Sequence, residues 1–195
     1  YVGHLIPRKG VLTLLQAWPE VAARHPDAWL VLVGAVQRPT ISSEQERQEI
    51  ETYQTALFTA IRAHPRVIHI PQQADIHWWY QMAHLFVFPS TQEGFPNALL
   101  EAMSTGLPCL TRRFMGFPDG QLGENEGVIQ VVEDPPSAWA HAISYLLADA
   151  PARHRMGTAA RALILRDHDL EKTLDDYAAL YRTLGHTSPT APPHP

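Results

Sequence analysis

The 195 residues include one cysteine, Cys109, so the chain can form no internal disulfide. That usage is compatible with a reducing, cytoplasmic setting. No apolar run approaches the ~20 residues that a helix needs to span a bilayer. No secretory leader is visible either. Positive charge is also scarce. Fifteen Lys and Arg against twenty Asp and Glu give a formal net charge of −5, and without a dense basic tract a nucleic-acid-binding surface is excluded. Eleven glycines occur, yet neither VGHLIPRKG nor Gly34-Ala35-Val36 supplies the Gly-x-Gly-x-x-Gly spacing, which argues against a dinucleotide-dependent oxidoreductase. Of the eleven histidines, none pairs with a carboxylate or cysteine at a familiar ligand spacing, so no metal site is expected. No internal repeat is evident.

What is present fits one folded domain. Apolar residues make up 45% and charged residues 18% of the chain, ordinary values for a globule with one sizeable core. Short apolar runs alternate with helical patterns. Residues 29–33, 67–70, 85–88, 108–111 and 128–132 read as strands, the first being uniformly apolar as in a sheet covered on both faces. Helices are expected over 11–24 with a bend at Pro19, and over 43–64, opened by Ser43 with Glu46 in capping-box position. Further helices are expected over 75–82 with Asp75 as cap, then over 96–106, 137–147, 153–166 and 170–184. Strands separated by helices predict right-handed crossovers and a ligand at the carboxyl ends of the strands. Residues 1–184 therefore read as one Rossmann-like, doubly wound α/β domain, followed by a proline-rich, disordered tail at 185–195.

The densest chemical signal is PSTQEGFPNALLEAMSTGLP, residues 89–108. It holds Glu93 where an apolar strand ends and Glu101 on the helix that follows. Pro96 suits the first helical position. The amides of Asn97, Ala98 and Leu99 then lack intrahelical partners at the positive end of the helix dipole, which makes an anion site. Glu101 lies about four to five residues further on, roughly 6–8 Å along the axis. A diphosphate at the turn would thus leave a ribose near Glu101 and a sugar near Glu93. Carboxylates near a helix start also occur simply because they suit the dipole.

This run resembles the signature of the retaining GT-B glycosyltransferases of family four, approximately P-S-x-x-E-G-F-x-x-x-x-x-E-A-M-A-x-G-x-P. The opening stretch YVGHLIPRKGVLTLLQAW is similar to the same family's V-G-R-L-x-x-x-K-G segment, and the likeness extends to about Leu184. It implies the C-terminal, donor-binding half of a GT-B fold, with the acceptor half and the acceptor itself unassigned. Peripheral membrane association is compatible with a full-length enzyme of this kind. The donor implied is a nucleoside-diphosphate sugar, a co-substrate rather than a resident cofactor. By the resemblance, Lys9 contacts the diphosphate as a point charge, Glu93 lies against the transferred sugar and Glu101 holds the ribose hydroxyls. Gly94, Phe95, Pro96, Asn97 and Ala98 form the turn that meets sugar and phosphate oxygens.

Two departures stand out. His4 occupies a place where the family usually has arginine, and the neighbouring Arg8 either compensates for it or faces solvent. After the strand at Cys109, RRFMGFPDGQLGENEG replaces the family's glycine-pair turn, with Arg112, Arg113 and Phe114 read as structural. Pro71-Gln72-Gln73 is a candidate border of a base pocket. Trp78-Trp79-Tyr80 is read as a partly buried helix face and Cys109 as a small buried hydrophobe. A non-catalytic nucleotide-sugar-binding module remains the alternative to a transferase.

Overall fold

A computed structural model describes residues 1–36 and 43–185. Among these residues five strands form: β1 (Leu30–Val33), β2 (Val67–Ile70), β3 (Phe86–Phe88), β4 (Cys109–Thr111) and β5 (Gln130–Val131). All pairings are parallel, β1 with β2 in one group and β3-β4-β5 in the other. The opening segment lies along β1, with the Gly3 amide donating to Val33 O at 2.9 Å and the Val33 amide to Tyr1 O at 2.9 Å. The described residues also form seven α-helices: α1 (Val11–Arg24), α2 (Glu44–Arg62), α3 (His77–Met82), α4 (Asn97–Ser104), α5 (Pro136–Ala148), α6 (Ala150–Asp167) and α7 (Leu170–Gly185).

Because successive strand residues point to opposite faces, the strands feed two cores. Val87 and Leu110 join the core under α1, α2 and α5, with Leu14, Trp18, Leu57 and Trp139. Phe86, Phe88 and Cys109 turn the other way, into a core with Leu99, Met103, Ala160 and Leu163 from α4 and α6. Helices therefore cover both faces, as the uniformly apolar strands predict. In α1, buried Val11, Leu14, Leu15, Trp18 and Val21 repeat at helical spacing, which places one continuous stripe against α5.

Several boundaries differ from the sequence reading. Strand β1 begins at Leu30, leaving Trp29 57% exposed. Strand β5 is confined to Gln130–Val131 because the Val128 amide is spent on Gly123 O, closing a turn before the ladder starts. Asp75 does not cap α3, whose N-cap is Ile76 without a side-chain bond. Helix α6 starts earlier than expected, where Asp149 accepts from the Ala152 amide at 2.8 Å and Pro151 occupies the first turn. Ser43 caps α2 as predicted, accepting from the Glu46 amide at 3.1 Å. Pro19 lies inside α1, which continues through to Arg24. The proline-rich tail beyond Gly185 lies outside the described residues. Along α7, Leu170, Leu174, Tyr177, Tyr181 and Leu184 are all more than half exposed.

Candidate functional site

The site begins with two close backbone approaches. Gly34 ends β1 with φ 149°, and a Cβ there would sit 2.0 Å from Gly3 O. The opening segment can therefore lie flush against the strand end. Gly10 adopts φ 68°, and a Cβ on it would meet Pro89 O at 2.1 Å. Only glycine fits both the left-handed conformation and that contact. The Pro7–Lys9 turn is thereby pressed onto the end of β3. Three donors fasten it: the Thr91 amide reaches Arg8 O at 2.8 Å, Thr91 Oγ1 reaches it at 2.9 Å and Ser90 Oγ lies 3.3 Å away.

This docking brings Lys9 beside Glu93 across 84 positions of sequence. The Lys9 ammonium donates to Glu93 Oε1 at 2.7 Å and Oε2 at 2.8 Å. Their side chains are 15% and 7% exposed, so the pair is largely withdrawn from water and its charge-assisted bonds are strong. Lys9 Nζ also stands 5.9 Å from the centre of the Phe88 ring, an additional favourable contact for a cation. Glu93 is held from behind, its amide donating to Met115 O at 3.2 Å.

At the corner into α4, Pro96 has φ −84° and ψ 59° and is the N-cap, not the first helical residue. That conformation is close to an inverse γ-turn, and the Asn97 amide closes it onto Phe95 O at 3.0 Å. The Leu99 amide donates to Pro96 O at 2.9 Å. Of the three amides expected to be free, Ala98 alone is. Those of Gly94 and Phe95 join it, with no acceptor among the described residues. The nest of open donors thus sits slightly earlier in the chain than helix geometry alone suggests, and it retains its capacity to meet an anion.

Glu101 lies four residues into α4 and is exposed at the residue level. Its Oε2 accepts from the Tyr80 hydroxyl at 2.9 Å. Tyr80 is 3% exposed. Burial first, then the neighbouring Glu101 charge and hydrogen bond, push its phenol well above the usual tyrosine range. Sequence reasoning treated Tyr80 as packing. Its position 21 residues before Glu101 gives no local sign of the bond.

These residues line one hollow of about 340 Å³, within the usual range for small-ligand sites. His4, Lys9, Glu93, Phe95, Asn97, Ala98 and Glu101 face it, whereas Gly94 and Pro96 shape the corner without lining it. Gln72 and Gln73 border the same hollow, at the carboxyl end of β2. Arg8 does not line it and is exposed. Phe114 is buried in the second core, Arg112 pairs with Asp134, and Arg113 pairs with Asp119 while lying 4.8 Å from the Phe117 ring. None of the three reaches the hollow. A larger hollow of about 770 Å³ lies by β5, α5 and α6. We place the site in the smaller one, because it gathers the open amides, the ion pair and the second carboxylate. Among the described residues, no three His, Cys, Asp or Glu side chains are placed to hold a metal ion. No helix there is long and apolar enough to cross a membrane.

A parallel α/β sheet with this hollow at its carboxyl ends is the C-terminal domain of a GT-B fold. The chain belongs to the family described as glycosyl transferases group 1, whose pattern matches residues 1–163. It is 30% identical over 199 residues to a D-inositol 3-phosphate glycosyltransferase of Corynebacterium urealyticum, covering 98% of this chain and 43% of that protein. Its structure is similar to sucrose-phosphate synthase from Thermosynechococcus elongatus, with TM-score 0.75 and 26% identity over 96% of this chain and 46% of the other. It also resembles Anabaena Alr3699/HepE in complex with UDP and glucose, with TM-score 0.70 and 19% identity over 93% and 47% of the two chains. The chain spans less than half the length of each of these proteins.

Proposed function

We propose that this chain is the donor-binding domain of a retaining glycosyltransferase that takes a sugar from a nucleoside-diphosphate sugar. The observation that carries the reading is the convergence of Lys9, Glu93, Glu101 and two residues with open amides, Phe95 and Ala98, on one hollow. Open amides and an ammonium suit a diphosphate, and carboxylates suit sugar hydroxyls. The glycosyltransferase relative and the neighbour's complex with UDP and glucose are consistent with that donor class.

In this reading the diphosphate rests on the amides of Phe95 and Ala98, which line the hollow, within reach of Lys9. His4 adds a polar ring on the same wall. As the sugar–phosphate bond breaks, negative charge grows on the leaving diphosphate, and these fixed donors stabilise it where it develops. Glu93 borders the sugar and Glu101 the ribose, with Gln72 and Gln73 beside the base. A cytoplasmic setting, where such donors are available, belongs to the same proposal. Acceptor binding is not assigned to these residues. The second reading is a non-catalytic nucleotide-sugar-binding module.

Calorimetric titration with UDP, GDP, ADP and NAD tests the donor class. We expect one nucleoside diphosphate to bind and Glu101→Ala to weaken it; tighter binding of NAD would overturn both readings. Lys9→Ala should weaken the diphosphate with or without its sugar. Glu93→Ala should mainly weaken the sugar-bearing donor, and equal losses on both ligands would contradict that division. Hydrolysis or transfer of the donor sugar then separates the transferase from the binding module.

A further inference from the structure

We propose that Tyr80 is the positioning residue for Glu101, its phenol fixing one carboxylate oxygen so that the other faces the ribose of a bound nucleoside diphosphate. This rests on the donor-binding reading above and adds to it a residue outside the strand–turn–helix signature. The need for such a residue follows from geometry. Glu101 is exposed on α4, and a free glutamate there samples many rotamers, so ordering it on a ligand costs entropy. Tyr80 comes from α3, and its ring is locked in the second core, edge-on to Phe86 at 5.7 Å between centres.

The Tyr80 hydroxyl lies 2.9 Å from Glu101 Oε2 and 3.2 Å from Ala98 O. It has one proton to give, and the ionised carboxylate takes it in preference to the neutral carbonyl. Burial and the adjacent negative charge keep that proton in place. Ala98 and Glu101 both line the hollow, so the phenol fixes the carboxylate at the wall where a ligand would sit. With Oε2 committed, Oε1 and the remaining lone pairs are left for hydroxyl donors. A hydroxyl serving core packing alone would stabilise the fold without any bearing on ribose recognition.

The test uses the full chain and whichever of UDP, GDP and ADP binds, together with its 2′-deoxy counterpart. Tyr80→Phe keeps the ring and removes only the hydroxyl. We expect the ribose ligand to bind roughly 3- to 10-fold more weakly, the scale of ordering one mobile side chain, with the deoxy ligand nearly unchanged. The preference for ribose then shrinks by the same factor. In a Glu101→Ala background the same substitution should add no further loss. Equal losses on both ligands, no loss on either, or additive losses in that background would overturn the proposal. A second readout needs no variant: in a crystal of the unliganded chain, the Glu101 carboxylate should be ordered against Tyr80, and a side chain turned elsewhere would refute the tie. If the wild-type chain binds none of the three diphosphates, the donor reading itself has failed.

Discussion

Glu93 and Glu101 are the same residue type eight positions apart, yet the fold gives them opposite surroundings. Glu93 is 7% exposed and shares both oxygens with the Lys9 ammonium. Glu101 lies open at the surface and leans on a neutral phenol. The first carboxylate is therefore compensated and stiff. The second leaves most of its acceptor capacity open. What separates them is the element each meets: the Pro7–Lys9 turn docked on β3 in one case, and α3 in the other.

The sharpest way to break the comparison is to disturb one end alone. Gly10→Ala would force a Cβ into Pro89 O and a side chain into the left-handed region, so we expect a loss of about 3 kcal/mol in unfolding free energy. Denaturant melts measure it, and a change under about 1 kcal/mol would show that the Lys9 turn is not pressed onto β3. Next in size is Glu93→Ala, which strands an ammonium. Lys9 keeps some contact with water, so the expected cost falls below that of a fully buried pair, about 2–3 kcal/mol. The double change Lys9→Met with Glu93→Leu should recover most of that stability; no recovery would mean the carboxylate serves something other than Lys9. Smallest is Tyr80→Phe, expected to cost about 1 kcal/mol in the same melts. A cost matching that of Glu93→Ala would erase the contrast between the two ends.

Much of the frame was legible because it is written locally. Gly94 and Pro96 punctuate a turn between an apolar run and a helical pattern, and β3 and α4 lie within a residue or two of where those signals put them. Lys9-Gly10 was equally readable as a motif. What it does there was not, because the contact with Pro89 and the bond to Glu93 join segments far apart in the chain. Tyr80 illustrates the same limit: an aromatic on a short helix looks like packing until the fold sets its hydroxyl against Glu101. The corner amides were misjudged for a different reason. Pro96 bends the backbone into a γ-like turn that consumes the Asn97 amide, and its carbonyl takes the Leu99 amide. Helix counting cannot see that turn.

We propose that phosphates are held at this corner, with the two glutamates serving different parts of the same donor. A crystal of the chain with a bound nucleoside diphosphate tests it most directly. We expect phosphate oxygens within hydrogen-bond distance of the Phe95 or Ala98 amides, Lys9 alongside them, and the ribose hydroxyls on Glu101. Phosphates lying in the larger hollow by β5, or a ribose turned away from Glu101, would contradict it.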